Sequence, residues 1–211
     1  MKNLLYKEFC LSTSPISYIF IVFSLMVLIP GYPILMGAFF ICMGIFQSYQ
    51  LIRDQNDILY SALLPVRKRD VVTAKYISDA IIQAVGFLIM CALTVLRMTV
   101  LSGSPAYTGN VMMPADPVFL AFVLIIFAEF NVIFLGGFFK TAYYFGKPFI
   151  LFIIASMITV GVGEALHHMP RFPAGSLPFQ LSVLAFGVVI YTVSFLLSLK
   201  SSQNRFEKID L

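Results

Sequence analysis

The stretch Phe9–Ile52, FCLSTSPISYIFIVFSLMVLIPGYPILMGAFFICMGIFQSYQLI, decides the fold. It contains no charged residue. A helix crossing a hydrocarbon core of roughly 30 Å needs about 20 apolar residues, so this stretch is too long for one span and long enough for two. Pro30-Gly31-Tyr32-Pro33 interrupts it, and proline and glycine this close together make a turn. The reading is a pair of membrane helices, roughly Pro15–Ile29 and Ile34–Ile52, joined by a tight hairpin. The first run is short, so its helix is expected to begin earlier.

The rest of the chain has the same character. Of 211 residues, 60% are apolar and 11% charged, and the mean hydropathy is +0.93. Ordinary soluble domains are about 45–50% apolar and about 25% charged. That contrast excludes a soluble globular enzyme and a disordered chain. Continuous apolar runs, not alternation with period two, exclude a porin-like barrel. Six spans would use roughly 120 residues and leave about 90 for termini and connections. No room remains for a soluble catalytic domain, so any energy source is expected on another chain. Cys10, Cys42 and Cys91 are scattered and read as packing residues. The net charge of +4 suits loops beside anionic lipid better than a nucleic-acid surface.

Beyond the opening pair, the pattern predicts spans at roughly 76–96, 117–139, 148–166 and 177–199. The fold class is thus all-α integral membrane, with six transmembrane helices after an interfacial N-terminal helix (1–14), all in one domain. Lys2, Lys7, Arg53, Arg67, Lys68, Arg69, Lys75, Lys140, Lys147, Lys200, Arg205 and Lys208 fall on one side of this plan, Arg97 and Arg171 on the other. The asymmetry predicts that both termini are cytoplasmic. No cleavable leader is expected, because Glu8 interrupts the basic start and no A-x-A site follows the apolar run.

Four segments are candidates for function. In the connection 53–75, Asn56 or Asp57 can cap a short helix. Ile58, Leu59, Ala62 and Leu63 then share one face, Tyr60 lies beside them, and Leu64-Pro65 ends the helix before Arg67-Lys68-Arg69. Such a helix is either a docking element or an interfacial helix lying on lipid. At the N-terminus, Leu4, Leu5, Phe9 and Leu11 occupy half of a helical wheel, with Glu8 intruding, which predicts an amphipathic helix along the membrane. Glu129 lies mid-span with Asn131 nearby. An intramembrane carboxyl is costly and marks either a translocation path or a protonated group bonded to a neighbouring helix. Glu164, His167 and His168 are close in sequence, but adjacent histidines rarely converge on zinc, and no metal is expected. Asp79 lies one turn after Lys75 and suggests an interfacial pair. Gly37, Gly44, Gly136, Gly137, Gly161 and Gly163 permit close helix approach. The chain has no P-loop, no G-x-S-x-G and no H-E-x-x-H, so no ATP site or familiar hydrolase element of its own.

The segment LLPVRKRDVVTAKYISD, Leu63–Asp79, resembles the first cytoplasmic loop of small ABC-2 type permeases, the membrane subunits of ATP-binding-cassette exporters. The matching features are Leu64-Pro65, the basic run Arg67-Lys68-Arg69, Asp70, Val71-Val72 and Lys75-Tyr76. The opening MKNLLYKEF and the ending SLKSSQNRFEKIDL are similar to the family's amphipathic start and charged tail. The resemblance implies a permease without catalytic residues or cofactor of its own, ATP and magnesium being held by a separate ATPase subunit. It implies a coupling helix, about Asp57–Leu64, seated in a groove of that ATPase. It also implies pairing with a second permease chain, as homodimer or heterodimer, in a bacterial cytoplasmic membrane. The implied cargo is an amphipathic peptide, antibiotic or lipid-like molecule, of the kind moved by bacteriocin and phenol-soluble modulin exporters. The residue reading alone leaves three alternatives: an ion- or proton-coupled carrier or channel using Glu129, an intramembrane enzyme built on Glu164, His167 and His168, and a non-catalytic partner or sensor subunit.

Overall fold

The computed structural model describes residues 2–108, 112–169 and 176–209. Among the described residues there are helices and no strand. We number the main helices α1 (Lys2–Ser12), α2 (Pro15–Leu28), α3 (Met36–Asp54), α4 (Asp57–Leu63), α5 (Lys68–Thr99), α6 (Pro117–Phe138), α7 (Gly146–His167) and α8 (Leu177–Phe206). A single turn, Pro105–Thr108, lies between α5 and α6.

Prolines mark the starts. Pro15 and Pro117 open α2 and α6, where a missing N–H costs nothing, and the Asp116 carboxylate accepts from the Phe119 amide at 2.8 Å. Gly31 supplies the left-handed backbone (φ 73°) of the turn after α2.

Helices α5, α6, α7 and α8 are each long and apolar enough to cross a membrane, and the bent pair α1–α2 would make a fifth. Helix α3 is 19 residues long but carries Gln47, Ser48, Gln50 and Arg53 in its second half, and it does not meet the same standard. The six-helix sequence plan therefore corresponds to helices α2, α3, α5, α6, α7 and α8, with four or five of apolar spanning character.

Two departures from the sequence reading have physical causes. First, α1 and α2 meet at 88°, so the chain turns a right angle at Thr13-Ser14. The corner is held by serines: the Ser14 amide donates to Ser48 Oγ at 2.9 Å, and Ser17 Oγ donates to the Gly44 carbonyl at 2.6 Å. Beyond it α2 tightens to 3₁₀ geometry at Ile21–Leu28. Six α residues and eight 3₁₀ residues reach roughly 25 Å, against roughly 21 Å for an all-α segment. The tightening lengthens a run that is short for a bilayer. Second, α5 and α8, at 32 and 30 residues, are roughly 48 and 45 Å long. They overrun the predicted spans: Lys68 and Arg69 already belong to α5, and the tail is helical as far as Phe206.

Helix α6 is the central element. From Pro117 to Ala128 all its side chains except Ile125 are buried. Helix α8 crosses it where Gly187 lies against Ala121; a Cβ on Gly187 would sit 3.0 Å from the Ala121 Cα. Phe46, Tyr49, Phe130, Phe134, Phe138, Phe149 and Phe152 pack ring on ring, with Phe46 and Phe149 stacked at 3.6 Å. These aromatic side chains fill the bundle interior. Helices α7 and α8 instead turn Ile150, Ile154, Ile158, Val189, Val193 and Leu197 outward, as lipid contact requires.

Candidate functional site

The end of the bundle where α5 begins and α8 finishes is built around a buried ionic cluster. Lys75 Nζ lies 2.8 Å from both Glu8 Oε2 and Asp57 Oδ2. Lys7 Nζ lies 2.5 Å from Asp57 Oδ1 and 3.3 Å from Glu8 Oε1, and donates to Ser61 Oγ at 2.6 Å. The Lys75 and Glu8 side chains are 1% and 2% exposed. Two cations and two anions cancel, and each carboxylate oxygen has a partner, which is what burying four charges requires. Burial pushes the Asp57 carboxyl up, but Lys75 and Lys7 outweigh it and hold the group below the usual carboxylate range.

This cluster explains Glu8. On the helical wheel it intrudes into an apolar face; in the fold that face meets α5, and Glu8 meets Lys75. It also corrects three expectations. Asn56 stands at the N-cap of α4 in left-handed geometry (φ 52°) and its side chain makes no capping bond. Asp57 serves the cluster instead of the helix end. Asp79 does not pair with Lys75: Tyr49 donates to its Oδ2 at 2.8 Å, because Lys75 is already turned toward α1 and α4.

Helix α4 is thus pinned from beneath. Ile58, expected on the apolar docking face, is buried in the core, and Ser61 is buried on Lys7. The remaining apolar residues face out: Leu59 is 47% exposed, Tyr60 57% and Leu63 79%. The side chain of Ala62 lies outside the described residues. Leu64 is half-buried and Pro65 exposed. Of the basic run, Lys68 Nζ donates to the Ile209 carbonyl at 2.6 Å and Arg69 pairs with Glu207 at 2.6 Å, tying α5 to the end of α8. Arg67 is exposed, with no ionic partner among the described residues. The link after α6 completes this face: a small groove of about 90 Å³ runs between Ile58 and Leu59 of α4 and Thr141–Tyr143. Arg53 covers the Phe145 ring at 4.5 Å. Sequence reading put this link, with Lys140 and Lys147, on the same side as the 53–75 connection, but not against α4.

Glu129 and Asn131, expected together, face different neighbours. The chain passes into a π-helical stretch at Phe130–Leu135, which rotates the residues after Glu129. Thr159 of α7 donates to Glu129 Oε1, while Glu129 Oε2 is buried without a hydrogen-bond partner. Asn131 instead exchanges two hydrogen bonds of 3.2 Å with Gln83 of α5. Tyr191 donates to Gln83 Oε1 at 2.9 Å, and Ser198 donates to the Asn131 carbonyl at 2.5 Å. This polar ladder joins α5, α6 and α8 and continues to Tyr76, whose hydroxyl meets Ser198 and Ser202 at 2.9 and 2.7 Å. Gln83 and Tyr191 carried no motif and were missed.

At the opposite end, Glu164 Oε2 accepts from the Met113 amide at 2.9 Å, and the His167 and His168 rings tilt against each other. No group of three or more metal-ligating side chains converges among the described residues. Arg171, counted on this side of the plan, lies outside the described residues.

A family model described as ABC-2 family transporter protein matches residues 3–207. No curated protein and no solved structure matches the chain.

Proposed function

The chain belongs to the ABC-2 family of transporter proteins, a membrane component of an ABC permease, and we propose that it is the permease subunit of an exporter driven by a separate ATPase docked on α4. The observation that carries this reading is the two-sided construction of α4. Its inner side is locked to α1 and α5 by the Asp57–Lys75–Glu8–Lys7 cluster, while Leu59, Tyr60 and Leu63 stand exposed beside Arg67. An apolar, unpartnered face on a short polar-end helix suits a groove in another protein. A push on that face would pass through paired side chains into both α1 and α5. This chain needs no nucleotide site for the purpose; ATP and magnesium belong to the partner.

In this reading α2, α3, α5, α6, α7 and α8 are six spans, α1 lies in the interface, and both termini face the cytoplasm of a bacterial cell. The gathering of Arg53, Arg69 and Arg205 at the α4 end supports this orientation, since cytoplasmic faces are rich in Lys and Arg. A second permease chain would complete the path, with an amphipathic peptide, antibiotic or lipid-like molecule as cargo. The test is co-purification of the cognate ATPase with this chain. Wild type retains it, and Leu59→Asp/Leu63→Asp loses it while remaining monodisperse. An ATPase that never associates with wild type would sink the proposal.

A second reading, a proton- or ion-coupled carrier, is favoured by one observation: the buried, unpartnered Oε2 of Glu129 inside an apolar bundle. It predicts ATP-independent transport that Glu129→Gln abolishes. Transport unchanged in that variant removes it.

A further inference from the structure

A cleft of about 860 Å³ opens where α6, α7 and α8 meet at the basic end. Its polar rim comes from three separate elements: Lys140 follows α6, Lys147 lies in the first turn of α7, and Arg205 lies in the last turn of α8. Among the described residues, no acidic side chain lines it. Arg205 is fixed in place, its Nη1 donating to the Gly136 carbonyl at 2.8 Å. Neither Lys140 nor Lys147 has an ionic partner among the described residues, although both are exposed. The N-cap residue of α7, Phe145, makes no side-chain cap; Pro148 has no N–H and the Phe149 amide donates to the Phe145 carbonyl, so the first turn of that 22-residue helix brings only the Gly146 and Lys147 amides to the cleft. The opposite wall is apolar. Val132, 48% exposed, and Leu151, 58% exposed, continue the cleft onto the lipid-facing surface of α6 and α7.

We propose that this cleft binds an anionic phospholipid of the adjacent leaflet, its phosphate held by Lys140, Lys147 and Arg205 and its chains lying along Val132 and Leu151. The chemistry is complementary at both ends. Three convergent cations and a helix N-terminus select a phosphate, and an apolar wall continuous with the bilayer selects acyl chains over a soluble anion. The residues concerned are separate from α4, so this site stands or falls independently of ATPase docking.

The test uses the full-length chain in a neutral detergent. Thermal stabilisation is titrated with dioctanoyl phosphatidylglycerol, with dioctanoyl phosphatidylcholine and with inorganic phosphate. Wild type is stabilised by phosphatidylglycerol alone. Lys140→Gln/Lys147→Gln weakens the phosphatidylglycerol response roughly thirtyfold, as loss of two cations at a membrane surface implies. Lys2→Gln/Lys200→Gln removes the same charge from exposed positions outside the cleft and leaves the response unchanged. Melting of both variants without lipid, matched to wild type, shows that they fold. Equal stabilisation by inorganic phosphate would make this a free-anion site and overturn the lipid assignment. Equal responses to the two lipids, or equal losses in the two variants, would overturn it as well. So would an acidic amphipathic peptide that stabilises wild type where phosphatidylglycerol does not.

Discussion

At the basic end of the bundle, Lys7, Glu8, Asp57 and Lys75 neutralise one another through their side chains; at the other end, Arg97, Asp116 and Glu164 find partners largely in backbone groups, with Glu164 Oε1 left buried without a hydrogen-bond partner among the described residues. Arg97, 6% exposed, donates to the Val27 carbonyl at 2.8 Å and lies 4.5 Å over the Tyr107 ring, whose hydroxyl donates to the Leu28 carbonyl. Asp116 and Glu164 accept from the Phe119 and Met113 amides. The second arrangement finishes helix ends and closes loops: the orphan carbonyls of α2 receive donors, and α6 receives its cap. The first joins three elements far apart in sequence through charges that leave one another only at high cost. One end is fastened mainly by side chains bonding to backbone, and the other by charged side chains bonding to one another.

The comparison breaks most visibly at Lys75. Lys75→Met leaves Glu8 and Asp57 buried without their shared cation, and a loss of about 3–5 kcal/mol is expected. Thermal melting of the purified protein should show it as the largest drop among these variants. The same cluster sets a pH dependence. Asp57 has a folded-state pKa below its ordinary 3.8, so its contribution is fully present above that value and is lost as pH falls through the depressed one. Melting temperature against pH should therefore separate wild type from Asp57→Asn at about pH 5 to 7, and the gap should begin to close only below the ordinary 3.8 and vanish once pH has passed the depressed folded-state value.

At the opposite end, Arg97→Leu removes one charged donor to a carbonyl and one ring contact. About 1.5–3 kcal/mol is expected, read by the same melt. A loss as large as that of Lys75→Met would erase the distinction drawn here. The smallest effect belongs to Arg69→Ala. Its pair with Glu207 is 53% and 43% exposed, and less than about 1 kcal/mol should follow, diminishing further with added salt.

How much of this was legible in the sequence differs from one residue to the next. The apolar runs around Pro30-Gly31, Pro117 and Pro178 fixed the helical membrane class, because composition averaged over a turn reports the solvent a helix needs. Pro65 and the apolar positions before it predicted a short helix, and α4 is there. Leu59 and Leu63 were placed on its open face, yet Ile58, one position away, was not distinguishable from them. Local spacing gives a face but not which part of it meets the core. Glu129 and Asn131 were paired by sequence proximity, and a π turn between them sent one toward α7 and the other toward α5.

The sequence by itself determined the helical class, the hairpin, the asymmetry of basic residues and the family. Only the tertiary structure decided the meeting of Glu8 and Asp57 with Lys75, the ladder from Gln83 to Ser202, and the cation-lined cleft at Lys140, Lys147 and Arg205. The reason is range. Hydropathy and proline act within a few residues of chain, whereas a buried charge in a low-dielectric interior is tolerated only beside a partner. Here the partners lie 18 and 67 positions away, and nothing short of the folded bundle brings them together.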